Sequence, residues 1–287
     1  MARVLITGTS TGIGKDAALH LGRAGHEVIA TMRQPDRAPE LQEAVTTEEL
    51  PVSILPLDVD DDTSVRKAVA TALEGGPIDV LINNAGITVW TALEETPVAD
   101  LQRVMETNFV GPMRCAQAVL PGMRERGEGL IINVTSIAGR IAILGTGPYG
   151  ASKAALESAS ETLAQEVRPY GVRVAILEPR FFETPIINEK REGPGDDTAY
   201  PALHRLNALA AATPQAPTSI TSERILEIME SDSDQLRWPA GPDAEPYFAW
   251  RGSMSDEEWV AYHGVAKDET WYAAIERDFQ MDVRPKG

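Results

Sequence analysis

The sequence has a single cysteine and few basic residues, and both scarcities exclude classes of function. With Cys115 alone, no disulfide can form within the chain, and its helix-like surroundings predict a buried small side chain rather than a nucleophile. The 26 Lys and Arg residues are outnumbered by 43 Asp and Glu, which gives a formal net charge of -17 at pH 7. Because phosphate binding needs a positive face, this balance argues against a nucleic-acid partner and against general attraction to anionic lipid.

Long hydrophobic runs are also missing. No apolar stretch is long enough to span a bilayer, and the first residues enter a strand-like segment rather than the longer apolar region of a secretory signal. We therefore predict a cytoplasmic protein with no membrane partner, and no metal site. The 43% hydrophobic and 24% charged content is that of an ordinary globular protein, and 287 residues suffice for one large domain or two small ones.

What the sequence does contain is an alternation of short apolar segments with longer amphipathic ones. The apolar segments are rich in Val, Ile and Leu without period-two alternation, as parallel strands covered on both faces should be. They comprise residues 4–7, 27–31, 52–57, 80–83, 130–135 and 172–177. Helical patterns lie between them at residues 13–24, 63–74, 97–126 and 149–170. This order predicts an α/β fold of Rossmann type, a doubly wound parallel sheet with helices on both faces.

The pattern changes after the sixth strand. Residues 181–217 resemble a loop-and-helix insertion, which we predict to be the substrate loop, and they precede a helix at 221–230 and a short seventh strand at 235–238. A capping box at Ser255 and Glu258 predicts a helix through Tyr262, and a last helix is expected at 268–279. We predict a dinucleotide-binding and catalytic domain over residues 1–240 and a helical extension over 241–287 packed on it.

Tyr149 and Lys153 place a phenol and an ammonium four residues apart, one turn along the same face of a helix. A phenol titrates near pH ~10, and a neighbouring cation stabilises the phenolate and lowers its pKa toward neutrality. Such a pair can act as a general acid/base. By itself this spacing is common on solvated helix faces. The neighbouring motifs must therefore decide between a catalytic pair and an ordinary surface pair.

A glycine cluster follows the first strand and opens the first helix. Glycines there allow a tight turn and close approach to a pyrophosphate, which the free N–H groups of the helix N-terminus would bind. The spacing differs from the G-x-G-x-x-G of the common dinucleotide fingerprint. The cluster consists of Thr7, Gly8, Thr9, Ser10, Thr11, Gly12, Ile13 and Gly14.

Four further motifs make a family recognisable. They are Asn83-Asn84-Ala85-Gly86 after the fourth strand, Asn108 within Thr107-Asn108-Phe109-Val110-Gly111, Ser136 at the end of the fifth strand, and the Tyr149/Lys153 pair. With the glycine cluster, they occur in the order and near the spacings of the short-chain dehydrogenases/reductases, which this chain resembles over roughly residues 1–185, in their shorter-bodied branch.

The resemblance implies a role for each of four residues. Tyr149 would protonate a carbonyl oxygen in reduction, or deprotonate an alcohol in oxidation. Lys153 would lower the pKa of Tyr149 and hold the nicotinamide ribose. Ser136 would bind the reacting oxygen, and Asn108 would hold a water that links Lys153 to bulk solvent. Without the other motifs, Ser136 would be read as a strand-end hydroxyl and Asn108 as a polar residue in a bent helix.

The resemblance also implies a set of cofactor contacts. They are Gly8, Ser10, Thr11, Gly12, Ile13, Gly14, Arg33, Asp58, Val59, Asn84, Ala85, Gly86, Tyr149, Lys153, Pro179 and Thr184. Met32 stands where NAD-preferring relatives carry an acid, and Arg33 follows it. Because a guanidinium can bind a 2′-phosphate, we favour NADP(H) over NAD(H), although Thr11 is not the basic residue that many NADP users carry. We expect Asp60, Asp61 and Asp62 to cap the next helix.

Arg180 departs from the resemblance, because the family usually has glycine between its proline and threonine. We expect it to point into solvent, or alternatively to reach the active site and bind an acidic group of the substrate. The candidate pocket walls are apolar and suggest a fairly apolar alcohol or ketone. They are Trp90, Ile141, Ile143, Leu144, Phe181, Phe182, Ile186 and Ile187. Several of these residues would alternatively pack the core or shield the cofactor from water.

The sequence thus predicts an NADP(H)-dependent oxidoreductase acting on a secondary alcohol or ketone. The alternative is a non-catalytic NADP(H)-binding sensor or scaffold, which would not need Asn108, Ser136, Tyr149 and Lys153 together. An epimerase or dehydratase of the longer-bodied branch fits less well, since its glycine spacing differs. Relatives often pair the two long helices into dimers or tetramers, so we predict a homo-oligomer.

Overall fold

The computed structural model describes residues 1–182, 184, 198–242 and 244–284. Its centre is a seven-stranded sheet in the order β3-β2-β1-β4-β5-β6-β7, in which every neighbouring pair is parallel. The strands are β1 Arg3–Thr7, β2 Glu27–Met32, β3 Val52–Pro56, β4 Val80–Asn83, β5 Gly129–Val134, β6 Val172–Pro179 and β7 Arg237–Ala240. The predicted doubly wound parallel sheet is therefore confirmed. Strand order reverses between β1 and β4, the crevice where such sheets bind ligands.

Helices cover both faces of this sheet. Before β7 they are α1 Gly12–Arg23, α2 Pro39–Thr47, α3 Asp62–Glu74, α4 Val98–Met105, α5 Gly111–Arg126, α6 Gly147–Val167, α7 His204–Ala212 and α8 Ser219–Glu230. After β7 they are α9 Ala244–Gly252, α10 Asp256–His263 and α11 Asp268–Phe279. The residues Glu106–Val110 form a π-helical turn between α4 and α5. The single helix predicted at 97–126 is thus interrupted at the position of Asn108.

The core consists of two apolar layers, one on each side of the sheet. Val4 and Ile6 pack toward α1, α2 and α8, whereas Leu5 packs toward α3 and α5. This alternation along one buried strand follows from the opposite directions of successive side chains. Cys115 belongs to the second layer and is fully buried, as predicted, and burial raises the pKa of its thiol to about 12.

The helices after β7 lie against the loops at the carboxyl edge of the sheet. Trp259 on α10 packs with Ile137 and Ile141, and its indole N–H donates to the carbonyl oxygen of Ala142 at 2.9 Å. Arg205 on α7 donates to Asp268 at 2.8 Å. α10 begins with the predicted capping box, in which Ser255 and Glu258 bond each other's backbone N–H groups. Among the residues that the structure describes, no helix is long and apolar enough to cross a bilayer.

Candidate active site

One cavity of about 290 Å³ lies at the carboxyl ends of the parallel strands. Nearly all the residues predicted to form the site line it: Gly8, Ser10, Thr11, Gly12, Ile13, Arg33, Asp58, Val59, Asn84, Ala85, Gly86, Ser136, Tyr149, Lys153, Pro179 and Thr184. The two predicted residues Gly14 and Asn108 do not line the cavity. The glycine turn, the loop after β4 and α6, the helix that carries Tyr149, therefore all border the same cavity.

The glycine turn can accept an anion because it offers backbone groups and little side-chain bulk. Gly8 has a φ of +72°, and a Cβ there would lie 2.7 Å from the Cα of Ala85. A Cβ on Gly14 would clash with the Asn84 amide and the carbonyl oxygen of Gly8. α1 carries no acid in its first turn, and its N-cap Thr11 makes no side-chain capping bond. These features fit the pyrophosphate of a dinucleotide, bound at the helix N-terminus.

Hydrogen bonds hold the loop after β4 against the glycine turn. The Asn84 side-chain amide donates to the carbonyl oxygens of Thr7 and Gly8 at 3.0 and 2.9 Å. The Thr7 hydroxyl in turn accepts from the backbone N–H groups of Asn84 and Ala85. Because both sides of the crevice are held by these bonds, its width is set before any ligand enters.

Charged residues lie at the end of the cavity formed by β2 and β3. Arg33 is exposed at the rim, next to Met32, and Asp58 lines the wall. Asp61 caps α3, as expected, by accepting from the Ser64 N–H at 2.5 Å. Asp60 does not cap the helix: it lines the cavity, accepts from Thr107 at 2.9 Å, and has its pKa raised by burial. No sequence signal distinguished Asp60 from its neighbours.

The opposite end holds the acid/base pair. The Lys153 ammonium donates to the carbonyl oxygen of Val134 at 2.8 Å and lies 5.7 Å from the centre of the Tyr149 ring. Tyr149 is hydrogen-bonded to Ser136, whose hydroxyl also accepts from the Ala138 N–H at 3.2 Å. The predicted Ser136, Tyr149 and Lys153 therefore share one wall.

Burial sets the protonation of this pair. It raises the pKa of Tyr149 to about 12, against the opposing effect of the Ser136 hydrogen bond. It lowers the pKa of Lys153 to about 8, against the opposing charge of Glu157. The sequence predicted a lowered pKa for Tyr149. The direction is reversed because desolvation of the phenolate in this enclosed position outweighs the hydrogen bond from Ser136.

Asn108 is completely buried in the π-helical turn. Its side chain accepts from the Ile87 N–H at 2.8 Å and donates to the Ile87 carbonyl oxygen and to the Ser152 hydroxyl, both at 2.9 Å. It thereby joins the loop after β4 to α6, one residue before Lys153. A Cβ on Gly86 would lie 3.3 Å from the Asn108 Oδ1 and 3.6 Å from the Lys153 ammonium.

A buried ionic cluster that the sequence analysis missed lies one turn beyond Lys153. Glu157 and Glu178 are 3% and 0% exposed, and Arg237 on β7 bonds them at 2.8 and 2.7 Å. Arg237 also bonds Glu161, and Arg140 lies 3.5 Å from Glu178. Burial raises the pKa of Glu157, which the Arg237 bond opposes. Glu157 at i+4 from Lys153 was the available signal, although nothing in the sequence placed Arg237 beside it.

Arg180 lines the cavity, so the expectation that it points into solvent is wrong. Its guanidinium lies 4.3 Å from the centre of the Tyr247 ring and 5.4 Å from that of Phe181. Burial lowers the pKa of Arg180, while the Tyr247 hydroxyl opposes this shift. The extension after β7 therefore supports the cavity wall from behind, because its Tyr247 packs on the lining residue Arg180.

The apolar wall agrees only in part with the predicted one. Trp90, Ile143, Phe181 and Phe182 line the cavity. Ile141 does not, because it is fully buried against the aromatic residues of the extension, and Leu144 is not part of the lining either. The predicted Ile186 and Ile187 lie outside the described residues.

Comparison with known proteins agrees with this geometry. A 3-ketodihydrosphingosine reductase of Bacteroides thetaiotaomicron is 42% identical over 182 residues, 63% of this chain and 64% of that protein. A short-chain dehydrogenase from Streptomyces avermitilis has a similar structure, with a TM-score of 0.79, 31% identity, and coverage of 92% of this chain and 97% of that one.

A gluconate 5-dehydrogenase from Burkholderia cenocepacia, solved in complex with NADP and tartrate, has a TM-score of 0.71 and 25% identity over 85% of this chain and 95% of that one. A family model described as short chain dehydrogenase matches residues 2–195. The chain therefore belongs to the short-chain dehydrogenase/reductase family of oxidoreductases, which transfer hydride with a nicotinamide cofactor.

Proposed function

We propose that the protein is an NADP(H)-dependent oxidoreductase that interconverts a ketone and a secondary alcohol. The observation that carries this proposal is the meeting of Ser136, Tyr149 and Lys153 on one wall of a cavity that continues to the glycine turn. A proton-transfer group is thereby placed beside the space that a dinucleotide and a small substrate would share.

The proposed roles follow from the chemistry of a carbonyl reduction. A reduced nicotinamide, when bound in this cavity, would supply the hydride that the carbonyl carbon accepts. Ser136 donates a hydrogen bond to the carbonyl oxygen and fixes its position. Tyr149 gives its phenolic proton to the same oxygen, which becomes the hydroxyl of the product. Lys153 stabilises the phenolate until a proton returns, and Asn108 would hold the water through which it returns.

At neutral pH the ionisation of Tyr149 suits the acid role in reduction better than the base role in oxidation. A pKa of about 12 keeps Tyr149 protonated at neutral pH, the state that an acid needs. In alcohol oxidation the same residue must begin as phenolate, a form that its burial disfavours. We therefore propose that the protein acts near neutral pH as a ketone reductase.

The adenosine end of the cavity supports NADP(H) over NAD(H). Arg33 stands at the rim, where its guanidinium can pair with a 2′-phosphate, and the buried Met32 offers no carboxylate to a ribose hydroxyl. The related gluconate 5-dehydrogenase was solved with NADP.

The substrate is proposed to have an apolar body. Trp90, Ile143 and Phe181 line the same cavity as Tyr149, and they would favour hydrocarbon over polyol. The 42% identical relative is named as a reductase of a keto compound, which supports a ketone as the reacting group. We further propose a cytoplasmic homo-oligomer; a solution mass by light scattering equal to one 31.0 kDa chain would refute the oligomer.

One experiment tests reaction, cofactor and substrate class together. The purified protein is mixed with NADPH or NADH and a panel of ketones, and loss of the reduced-nicotinamide absorbance is followed. We expect turnover of apolar ketones with NADPH, slower turnover with NADH, and turnover lowered by about 10²- to 10⁴-fold in Tyr149→Phe. NADPH binding without turnover across the panel would instead favour the sensor or scaffold.

A further inference from the structure

The loop between β5 and α6 leads from Ser136 to the helix that carries Tyr149, and it forms much of the cavity wall. Its lining residues are Ser136, Ile137, Ala138, Ile143 and Thr146. At its far end, the backbone N–H and the hydroxyl of Thr146 both donate to the carbonyl oxygen of Ile143, at 3.1 and 2.9 Å. The conformation of this loop therefore shapes the wall beside the acid/base residues.

The extension after β7 contacts the middle of this loop through a hydrogen bond, a cation–ring contact and apolar packing. The Trp259 indole N–H donates to the carbonyl oxygen of Ala142 at 2.9 Å. The Arg140 guanidinium lies 4.2 Å from the centre of the Phe248 ring. Ile141 is fully buried in the same apolar cluster as Trp259. Three successive residues of the loop are thereby held by α9 and α10.

Ile143, the next residue, takes part in both the cavity and the packing behind it. It lines the cavity and also packs against the apolar cluster that contains Trp259. Trp259 does not line the cavity, and its hydrogen bond is made to the residue before Ile143. Because a close-packed interior transmits displacements instead of absorbing them, the place of Ile143 depends on that of Trp259.

Packing fixes Trp259 in turn. The residue is 6% exposed, and its ring centre lies 4.9 Å from that of Trp250 and 4.3 Å from that of His263. The capping box at Ser255 holds the first turn of α10, the helix that carries Trp259. A large ring that is packed on several sides has few rotamers open to it. The extension therefore gives the loop a rigid support.

We propose that the extension sets the substrate selectivity of the site through Trp259, a positioning residue that holds Ile143 in the cavity wall. The inference rests on the proposed function and adds to it the element that determines which ketones fit. With the support in place, the wall does not yield, and a branched chain beside the carbonyl group is disfavoured. Without it, Ile143 can move back, and the cavity admits the wider substrate.

The test compares a straight-chain ketone with a branched ketone of equal carbon number, by kcat/KM with saturating NADPH. We expect the wild type to favour the straight-chain ketone by about tenfold or more, the effect of one or two methyl groups in a rigid pocket. Trp259→Phe keeps a ring but loses the bond to Ala142. It should narrow the ratio about three- to tenfold, mainly through a lower KM for the branched ketone. The affinity for NADPH, measured by fluorescence titration, should be unchanged.

Two other tryptophans provide controls, and both variants should keep the wild-type ratio. Trp238 on β7 is 5% exposed, and its indole N–H also donates to a backbone carbonyl oxygen, that of Gln235, at 2.8 Å, so Trp238→Phe removes a matched bond elsewhere. Trp271→Phe controls for general loosening of the extension. Trp271 is 2% exposed, and within the part of the chain that the structure describes its apolar cluster includes no residue of the loop. Circular dichroism and thermal melting establish that each variant is folded.

A double-mutant cycle tests whether Trp259 acts through Ile143. Ile143→Ala enlarges the cavity directly and should narrow the ratio about tenfold or more. When Trp259→Phe is added to Ile143→Ala, we expect little further change, because the side chain that the indole positions is already gone. Additive effects of the two substitutions on the ratio would overturn the coupling.

The outcomes separate this inference from the proposed function. Equal use of both ketones by the wild type, an unchanged ratio in folded Trp259→Phe, or the same narrowing in Trp238→Phe would overturn the role of Trp259 while leaving the reductase intact. For a wild type that turns over neither ketone, calorimetric titration of the same pair onto the NADPH complex replaces the kinetic ratio. An affinity ratio that narrows in Trp259→Phe would then support the positioning role and refute the reductase, whereas an unchanged ratio or no binding would overturn both.

Discussion

Glu157→Gln removes a buried negative charge one turn from Lys153 with almost no change of shape. Side chains four residues apart on a helix lie about 6 Å from each other. At that distance two unit charges interact by about 2.8 kcal/mol at an effective dielectric of 20, or about two pKa units. The charges facing Glu157 reduce this value, since Arg237 bonds it directly while Glu178 and Glu161 share the same arginine.

Arg140 also lies beside Glu178. The ionic cluster therefore has a net charge of about -1, from three acids and two arginines: Glu157, Glu161, Glu178, Arg140 and Arg237. We therefore expect Glu157→Gln to lower the pKa of Lys153 by about one unit. Proton return to Tyr149 needs Lys153 in its cationic form, so activity falls as pH rises through the pKa of Lys153, which is about 8. In the variant, the alkaline limb of kcat/KM for ketone reduction should move downward by about one pH unit.

The assay is the pH dependence of kcat/KM with saturating NADPH for the wild type and two variants. Glu161→Gln is the matched control, because Glu161 contacts the same arginine from the next turn of α6, with a side chain that is 48% exposed. Its profile should coincide with that of the wild type. An alkaline limb that stays in place in folded Glu157→Gln, or moves upward, would refute the electrostatic coupling.

Four other substitutions have definite expected outcomes. Tyr149→Phe should lower kcat by about 10²- to 10⁴-fold with NADPH affinity unchanged in fluorescence titration, and retained activity would contradict the acid role. Arg33→Ala should weaken NADPH about tenfold or more and NADH less than about twofold, whereas equal weakening would contradict 2′-phosphate binding. Gly8→Ala should lower unfolding free energy by about 1–3 kcal/mol and abolish NADPH binding, because its φ is +72° and Ala85 leaves no room; wild-type melting would refute this. Trp259→Ala should lower unfolding free energy by about 3–5 kcal/mol in urea denaturation, since the ring is 6% exposed, and a much smaller loss would show that the extension packs loosely.

The sheet could be predicted from sequence because each parallel strand is buried on both faces and needs a continuous apolar run. β7 was placed two residues too early, since Pro239 argues against a strand; an edge strand tolerates proline because one of its sides has no ladder to complete. α2 and α9 were missed. α2 is nine residues long, and the aromatic residues of α9 do not follow a single amphipathic face.

The site residues likewise fall into two groups: those that local motifs predict, and those that only tertiary contacts reveal. Local motifs singled out Ser136, Tyr149 and Lys153, and the structure brings them to one wall, because a strand end and a single helical turn determine where they lie. Arg180 and Arg237 needed tertiary information, since their partners Tyr247 and Glu157 are far from them in the chain. The pKa of Tyr149 was misjudged for a related reason: the neighbouring charge is visible in the sequence, but the degree of burial is not.

Arg237 has a consequence for the smallest unit that can fold. The family match ends at residue 195, yet Glu157 and Glu178, which lie inside that match, both bond Arg237 on a strand more than forty residues beyond it. A fragment cut at the family boundary would leave two carboxylates in the interior without that arginine, and breaking a buried pair in this way costs about 3–5 kcal/mol. We therefore expect the edge strand β7 to belong to the autonomous folding unit, so engineered truncations or domain fusions should retain it.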